Sequence, residues 1–408
     1  MLDPRTSGGG IHGRGDLGPV SHDTVVRALR SEGVILGDES LAILAAELLR
    51  EFEGYGRLDP LMRTPGVTDV LVNSVHGTWM DCGAGLQPVE HARFADEGQV
   101  RALAQRLADS VGRRLDEASP WVDAQLADGA RLHALIPPLA VDGTLISIRI
   151  PARRDFDLAA LQRAGAVDEF GASWLRALID ARLTFLVTGG TGSGKTTVLG
   201  ALLGEVSHGH RIVIAEDSTE LDPRHPHCVR LQSRTANIEG AGAIVLRDLV
   251  RQALRMRPDR IVVGEVRGPE VLDLLAAFNT GHEGCCGTVH ANEARDVPAR
   301  LEALALTAGV PRAALHALVA AGLDAIVHLT RVMKPDGTRV RVVEGIHVVS
   351  RGNGPGLSEQ GDPDIATVVA GVSFRSGEGR ACAGPGHDAL VSRMRARGVV
   401  PPSADGFA

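Results

Sequence analysis

The segment Gly189-Gly190-Thr191-Gly192-Ser193-Gly194-Lys195-Thr196-Thr197 satisfies the pattern G-x-x-x-x-G-K-[ST]. The chemistry of that pattern is phosphate binding. Glycines let backbone N–H groups converge on phosphate oxygens with no Cβ in the way, and a following helix adds the partial positive charge of its N-terminus. Lys195 is placed to reach β- and γ-phosphates, and the Thr196 hydroxyl to ligate Mg²⁺. Only Lys195 and Lys334 are lysines; the other 41 of the 43 basic residues are arginine, a bias typical of a GC-rich genome. One of two lysines therefore falls on the pattern's obligatory position, where a compact ammonium is needed instead of a planar fork. The segment is predicted to bind a nucleoside triphosphate.

Hydrolysis further requires a metal-orienting acid and a group that aligns water. The run Ile212-Val213-Ile214-Ala215 leads into Glu216-Asp217-Ser218-Thr219-Glu220, and Ile261-Val262-Val263 leads into Gly264-Glu265. In an open α/β sheet, ligands sit beyond the carboxyl ends of the strands, so both acids are expected to face the glycine loop's crevice. Glu265 is the metal-side candidate and Glu216 the candidate for polarising water; sequence leaves the reverse assignment open. A third cluster, Gly281-His282-Glu283-Gly284-Cys285-Cys286-Gly287-Thr288-Val289-His290-Ala291-Asn292, sets two histidines among small residues. Their spacing of eight is not that of a helical zinc pair, which is i, i+4. Either histidine is a candidate for contacting phosphate.

These residues need a scaffold. Thr184–Thr188, Arg211–Ala215 and Arg260–Gly264 are near-continuous β-branched or apolar strands alternating with helical stretches, the signature of a parallel sheet covered on both faces. The preceding part has another rhythm. Amphipathic spacing predicts helices between Ser21 and Phe52 and over Asp96–Val111. Short strands are expected at Val67–Val72 and Thr78–Met80, and hairpins around Asp128-Gly129 and Asp142-Gly143. The expected organisation is a disordered tail (1–20), an α+β domain with leading helices (21–150), a linker and helix (151–182), an α/β nucleotide domain (183–350) and a Gly/Pro-rich tail (351–408) with a short Arg-rich helix near Ala389–Arg397.

At about 150 residues per domain, 408 residues agree with two or three domains. Hydrophobic residues at 44% and charged residues at 23% exclude wholesale disorder. Aromatics at 3% argue against base-stacking nucleic-acid binding, and a net charge of −7 provides no global basic field for DNA or anionic lipid. Five cysteines without a CxxC pair support neither a disulfide framework nor a zinc ribbon, and His225-Pro226-His227-Cys228 reads as a surface turn. The opening residues lack the regions of a secretory signal, and no apolar run approaches the ~18 residues of a membrane span. The expectation is a cytoplasmic protein, peripheral if it meets a membrane.

Taken in order, the segments resemble the type II/type IV secretion ATPase family, and within it the tight-adherence pilus-assembly (CpaF-like) branch. A Walker A box lies at Gly189–Thr196, an Asp box at Glu216–Leu221, an atypical Walker B at Ile261–Glu265 and a His box at Gly281–Asn292. Further stretches similar to the branch are Gly112–Glu117, Asn237–Gly240 and Leu254–Asp259, and the likeness spans roughly residues 55–350. The resemblance implies a RecA-like P-loop domain preceded by a smaller α+β domain, a ring-shaped homohexamer, and ATP hydrolysis with Mg²⁺ driving domain movement. That movement would work on an inner-membrane platform protein in pilus assembly or protein export, with DNA transfer as the alternative and no direct nucleic-acid contact expected. A monomeric P-loop phosphotransferase is the competing class, and it gives no reason for a His box.

The same resemblance assigns His290 and His282 to the His box and makes Arg131 and Arg149 candidates for reaching the γ-phosphate. Cys285 and Cys286 replace the family's hydroxyl-bearing residues, which predicts an oxidant-sensitive site. Arg247, Arg251 and Arg255, four residues apart, are expected on one helix face, at a subunit interface or in solvent.

Overall fold

In the computed structural model, the described residues are 22–32, 36–52, 54–83, 85–150, 156–234, 241–279, 281–333, 337, 339–349, 369–373 and 382–403. The N-terminal tail, most of the 151–157 break, the Asn237–Gly240 stretch, Lys334 and much of 351–408 lie outside them. The chain divides into two compact units, Met1–Ala152 and Arg153–Ala408.

The first unit holds helices α1 (His22–Ser31), α2 (Asp38–Phe52), α3 (Asp59–Met62) and α4 (Glu97–Asp109). Its strands are β1 (Asp69–Asn73), β2 (Thr78–Asp81), β3 (Leu86–Val89), β4 (Trp121–Gln125), β5 (Arg131–Leu135) and β6 (Leu145–Arg149). They form one sheet in the order β3-β2-β1-β6-β5-β4, antiparallel throughout. Alternation explains the layering: Val70, Val72, Leu132, Ala134, Ile146 and Ile148 point inward. They pack with Val100, Leu103 and Leu107 of α4. Asp96 starts α4 by accepting from the Gln99 amide at 2.9 Å. Asp128-Gly129 turns β4 into β5, with Gly129 at φ +93°.

The second unit is a nine-stranded sheet in the order β15-β14-β13-β12-β7-β11-β10-β8-β9. The central strands are β7 (Phe185–Gly189), β8 (Ile212–Glu216), β9 (Cys228–Gln232), β10 (Arg260–Val266), β11 (Cys286–His290) and β12 (Ala325–Met333), all parallel. Strands β13 (Arg339–Val348), β14 (Val369–Ser373) and β15 (Cys382–Ala383) add antiparallel at one edge. Every residue of β7 and β8 is buried, as a strand covered on both faces requires. One face packs on α5 (Leu158–Arg163), α6 (Glu169–Asp180), α7 (Lys195–Gly204) and α12 (His387–Ala396). The other packs on α8 (Leu246–Ala253), α9 (Glu270–Phe278), α10 (Val297–Leu306) and α11 (Arg312–Gly322).

Three differences from the sequence reading concern how the unit is assembled. Within the 151–182 stretch read as linker and helix, Leu158, Leu161, Trp174, Leu175 and Leu178 all enter this core. In the C-terminal stretch, α12 is likewise packed in the core: Leu390 and Met394 are fully buried, and Arg393 donates to the carbonyls of Asp324 and Val349. In the arginine stripe, Arg247 and Arg251 both pair with Asp273 of α9, at 2.7 and 2.9 Å, while their side chains stay about half exposed. Arg255 lies past the end of α8.

If α12 is part of the core, Leu390→Ala should destabilise the second unit by ~2–5 kcal/mol, as other buried leucines do. Arg395→Ala, on the exposed side, should change stability by less than ~0.5 kcal/mol. Apparent urea midpoints of the two variants test this, and equal midpoints would remove α12 from the core.

Candidate nucleotide site

Strand β7 ends at Gly189 and α7 begins at Lys195, so the glycine segment is the turn between a buried strand and a helix N-terminus. Gly189 is required sterically. At φ +152°, a Cβ there would lie 2.6 Å from the Leu329 carbonyl oxygen and 2.6 Å from Ser193 Oγ. Gly192 and Gly194 also adopt positive φ, +69° and +94°. Thr191 and Gly192 form the exposed tip, while Ser193 is buried with a hydroxyl that finds no partner among the described residues. Such an orphaned polar atom under a glycine loop fits an anion's oxygens better than solvent. Lys195 is 9% exposed, and its ammonium donates to the carbonyls of Gly189 (3.1 Å) and Gly190 (3.2 Å). Burial pushes its pKa down, and the charges of Glu265 and Glu220 oppose that shift. Thr196 and Thr197 follow in the first turn of α7, half-buried.

The acids divide differently from the sequence reading. Glu216 ends β8 but turns inward: it is 3% exposed and accepts from the amides of Glu220 (3.2 Å) and Leu221 (3.1 Å). It packs against Gly264 of β10, where a Cβ would come within 2.5 Å of Glu216 Cγ, so that strand needs glycine beside the carboxylate. Burial, only partly offset by those amides, raises its pKa to about 7. The carboxylate that reaches the glycine segment is Glu220, four residues on, whose Oε2 accepts from Thr196 Oγ1 at 3.5 Å. The oxygens of Glu216 hold the turn that presents Glu220. Sequence alone passed over Glu220 because two glutamates of one type flank this turn, and only the amide bonds tell them apart. Glu265 is 30% exposed on the bulged end of β10, with its carboxylate held by Arg267 Nε at 2.8 Å and by Nη2. Its charge acts on both Lys195 and His290.

Strand β11 runs parallel to β7, with His290 level with Gly189 and Cys286 level with Phe185. His290 therefore stands over the loop, its Nε2 2.6 Å from Thr191 Oγ1. Burial and the Lys195 charge lower its pKa, keeping the ring neutral near pH 7. His282 precedes β11 and so belongs to the opposite end of the sheet. Its neighbour Glu283 pairs there with Arg182 and Arg397. The structure does not bring His282 to the loop, a correction that follows from strand direction. Cys285 and Cys286 share that end and are fully buried; burial raises the Cys285 thiol to about 12 and Cys286 higher still. Neutral, inaccessible thiols are poor targets for oxidants, so the expected sensitivity is not supported.

A histidine that sequence reasoning passed over does reach the site's underside. His328 of β12 is 1% exposed, with Nδ1 2.8 Å from Thr188 Oγ1 and Nε2 3.2 Å from the Asn292 carbonyl. It links the strand beneath the loop to the segment after His290. The only signal was a polar residue within an apolar strand, which a satisfied core histidine also produces. Arg131 and Arg149 belong to the first unit, where they face each other directly across β5 and β6.

The donor set of Thr196 hydroxyl and carboxylate oxygens suits a hard cation such as Mg²⁺. Among the described residues no helix is long and apolar enough to cross a membrane. A model of the type II/IV secretion system protein family matches residues 52–371. A protein described as "Putative conjugal transfer protein" in Mycobacterium tuberculosis is 54% identical over 303 residues, covering 73% of this chain and 86% of that one. The type IV secretion system protein PtlH of Bordetella pertussis is 33% identical over 318 residues, covering 70% and 92%. The crystal structure of the pilus retraction motor PilT with bound ADP shares the fold at a TM-score of 0.52 and 22% identity, covering 70% of this chain and 80% of that one. On the family match and this architecture, the chain belongs to the type II/IV secretion system protein family and has its two-domain, RecA-like ATPase fold.

Proposed function

We propose that the chain is an ATP-hydrolysing motor of a pilus-assembly or protein-export machine, working as a homohexamer against an inner-membrane platform protein. The observation that carries the reading is the convergence on one glycine turn of a buried ammonium (Lys195), a hydroxyl (Thr196), two carboxylates (Glu220, Glu265) and a neutral imidazole (His290).

The loop amides and Lys195 grip the triphosphate. Thr196 with Glu220 and Glu265 would hold Mg²⁺, which would offset the charge of the phosphates. Glu220 and Glu265 divide the remaining work of orienting the metal's water shell and aligning the attacking water. His290, fixed on Thr191, is the imidazole we assign to the γ-phosphate. Arg131 and Arg149 are the arginines we assign to the γ-phosphate from a neighbouring copy of the chain. An arginine so placed contributes roughly 10³–10⁵-fold to hydrolysis. The setting we infer is the cytoplasmic side of the inner membrane.

The sequence stretches shared with the tight-adherence branch, the −7 net charge and the scarcity of aromatics support a protein or pilin cargo. The 54%-identical relative, described as a conjugal transfer protein, favours a second reading, conjugal DNA transfer. Turnover measured with and without single- or double-stranded DNA separates them: no response is expected, and stimulation by DNA would favour conjugation.

Lys195→Ala should abolish ATP turnover. Glu220→Gln should bind ATP yet lose about 10²–10⁴-fold in kcat, the usual yield of a positioned acid or base. Glu216→Gln, which preserves the acceptor oxygen for the Leu221 amide, should lose less than about tenfold. A Glu216→Gln defect as large as that of Glu220→Gln would return the chemical role to Glu216.

The raised Glu216 pKa also has a stability consequence. Between about pH 4.5 and 7 the folded chain retains a proton that the unfolded chain has released, so stability falls as pH rises through that window. Glu216→Gln removes the dependence. Its stability relative to the parent should rise by about 3 kcal/mol from pH 4.5 to 7, read from urea midpoints at each pH. A constant difference would show that the carboxyl is not held neutral.

A further inference from the structure

Strand β12 stands beside β7 with Leu329 level with Gly189, and β12 continues past the point where β7 turns into the loop. Two residues on, Arg331 lies alongside the loop tip: a methyl placed on Gly192 would be 3.5 Å from Arg331 Nη2 and 4.0 Å from its Cζ. Directly across the antiparallel ladder from Arg331 is Arg341 of β13. Its Cδ would lie 3.6 Å from a methyl on Gly194. Both arginines are exposed, and among the described residues neither side chain makes a hydrogen bond or an ion pair. Like charges directly opposite each other on neighbouring strands are destabilising. This pair is also close enough to Lys195 for the Arg331 charge to depress its pKa. Three cations thus surround one glycine turn, and among the described residues no carboxylate pairs with Arg331 or Arg341.

The strand order indicates which part of the anion. Glu216 and Glu265 arrive on β8 and β10, and His290 on β11, all on one side of β7. Arg331 and Arg341 arrive on β12 and β13, on the other side. The metal and the γ-phosphate belong with the carboxylates, and the loop amides cradle the α- and β-phosphates. The arginine flank is therefore left with the end of the triphosphate nearest the nucleoside. We infer that Arg331 and Arg341 form a clamp within the same chain for the α-phosphate of the bound nucleotide. Because ATP and ADP both carry that phosphate, the clamp binds substrate and product alike and adds nothing specific to the transition state.

This assignment rests on the nucleotide reading above, and its test separates the two. Full-length protein carrying Arg331→Gln and Arg341→Gln, singly and together, is titrated with a fluorescent ADP analogue and assayed for ATP hydrolysis beside the parent and Lys195→Ala. Each arginine should raise the Kd for ADP and the KM for ATP together, by about tenfold, the gain expected of a charge-assisted hydrogen bond. The value of kcat at saturating ATP should stay within about twofold. Both side chains are exposed and repel each other, so circular-dichroism melting of the variants should be no lower than the parent's. An unchanged Kd for ADP overturns the clamp, and so does a fall in kcat without a change in KM, which would place the arginines on the transition state. If the parent binds ADP and Lys195→Ala does not, either result defeats the clamp alone. If the parent binds no ADP, the nucleotide reading falls and the clamp with it.

Discussion

The site depends on a register. β7 pairs in parallel with β11 on one side and β12 on the other, and both partners are level with Gly189, through His290 and Leu329. The approach at that level is so close that the Leu329 carbonyl oxygen would lie 2.6 Å from any Cβ on residue 189. Gly189 is thus a steric condition for both neighbours to stand level with the end of β7. Because they do, a loop leaving β7 meets an imidazole from β11 at its tip and guanidinium groups from the β12–β13 ladder along its flank. A one-residue slip of either neighbour would turn its functional side chain to the other face of the sheet.

The charges around the loop are sorted by this strand order. Glu220 and Glu265 stand on the side of β8 and β10, and Arg331 and Arg341 on the side of β12 and β13, with Lys195 between them. Lys195 has to remain a compact cation there. Its ammonium sits against two loop carbonyls and is 9% exposed, a space that a rigid guanidinium fork could not share with incoming phosphate oxygens. This provides a physical reason for lysine to persist here in a chain whose other basic residues are, with one exception, arginine.

Much of this was legible before any coordinates. The β-branched runs that became β7, β8 and β10 announced a sheet buried on both faces, and the glycine pattern between a strand and a helix announced the phosphate loop. What escaped depended on direction and hydrogen bonding. His282 and His290 look equivalent in sequence, but five residues of strand separate the ends of β11, and only its C-terminal end meets the loop. Glu216 and Glu220 look equivalent too, until the amides of residues 220 and 221 capture the first. Arg331 and Arg341 carried no signal among 41 arginines. Their distinction is being cross-strand partners, and the pairing becomes visible only when the ladder is drawn.

His328 shows how a buried group can make such a site behave as one body. It bonds Thr188, one residue before the loop begins, and the carbonyl of Asn292, two residues after His290. His347 packs near it, with a pKa lowered to about 4 by burial and by His328 itself. The His328 pKa is also lowered by burial, so near pH 7 both rings are neutral. A neutral imidazole can donate from one nitrogen and accept at the other. With Nε2 facing a carbonyl, the proton belongs on that nitrogen, which leaves Nδ1 to accept from the Thr188 hydroxyl. One tautomer then satisfies both contacts. His328 thereby ties the strand beneath the phosphate loop to the segment behind His290, a connection that a hydrophobic residue of the same volume could not make.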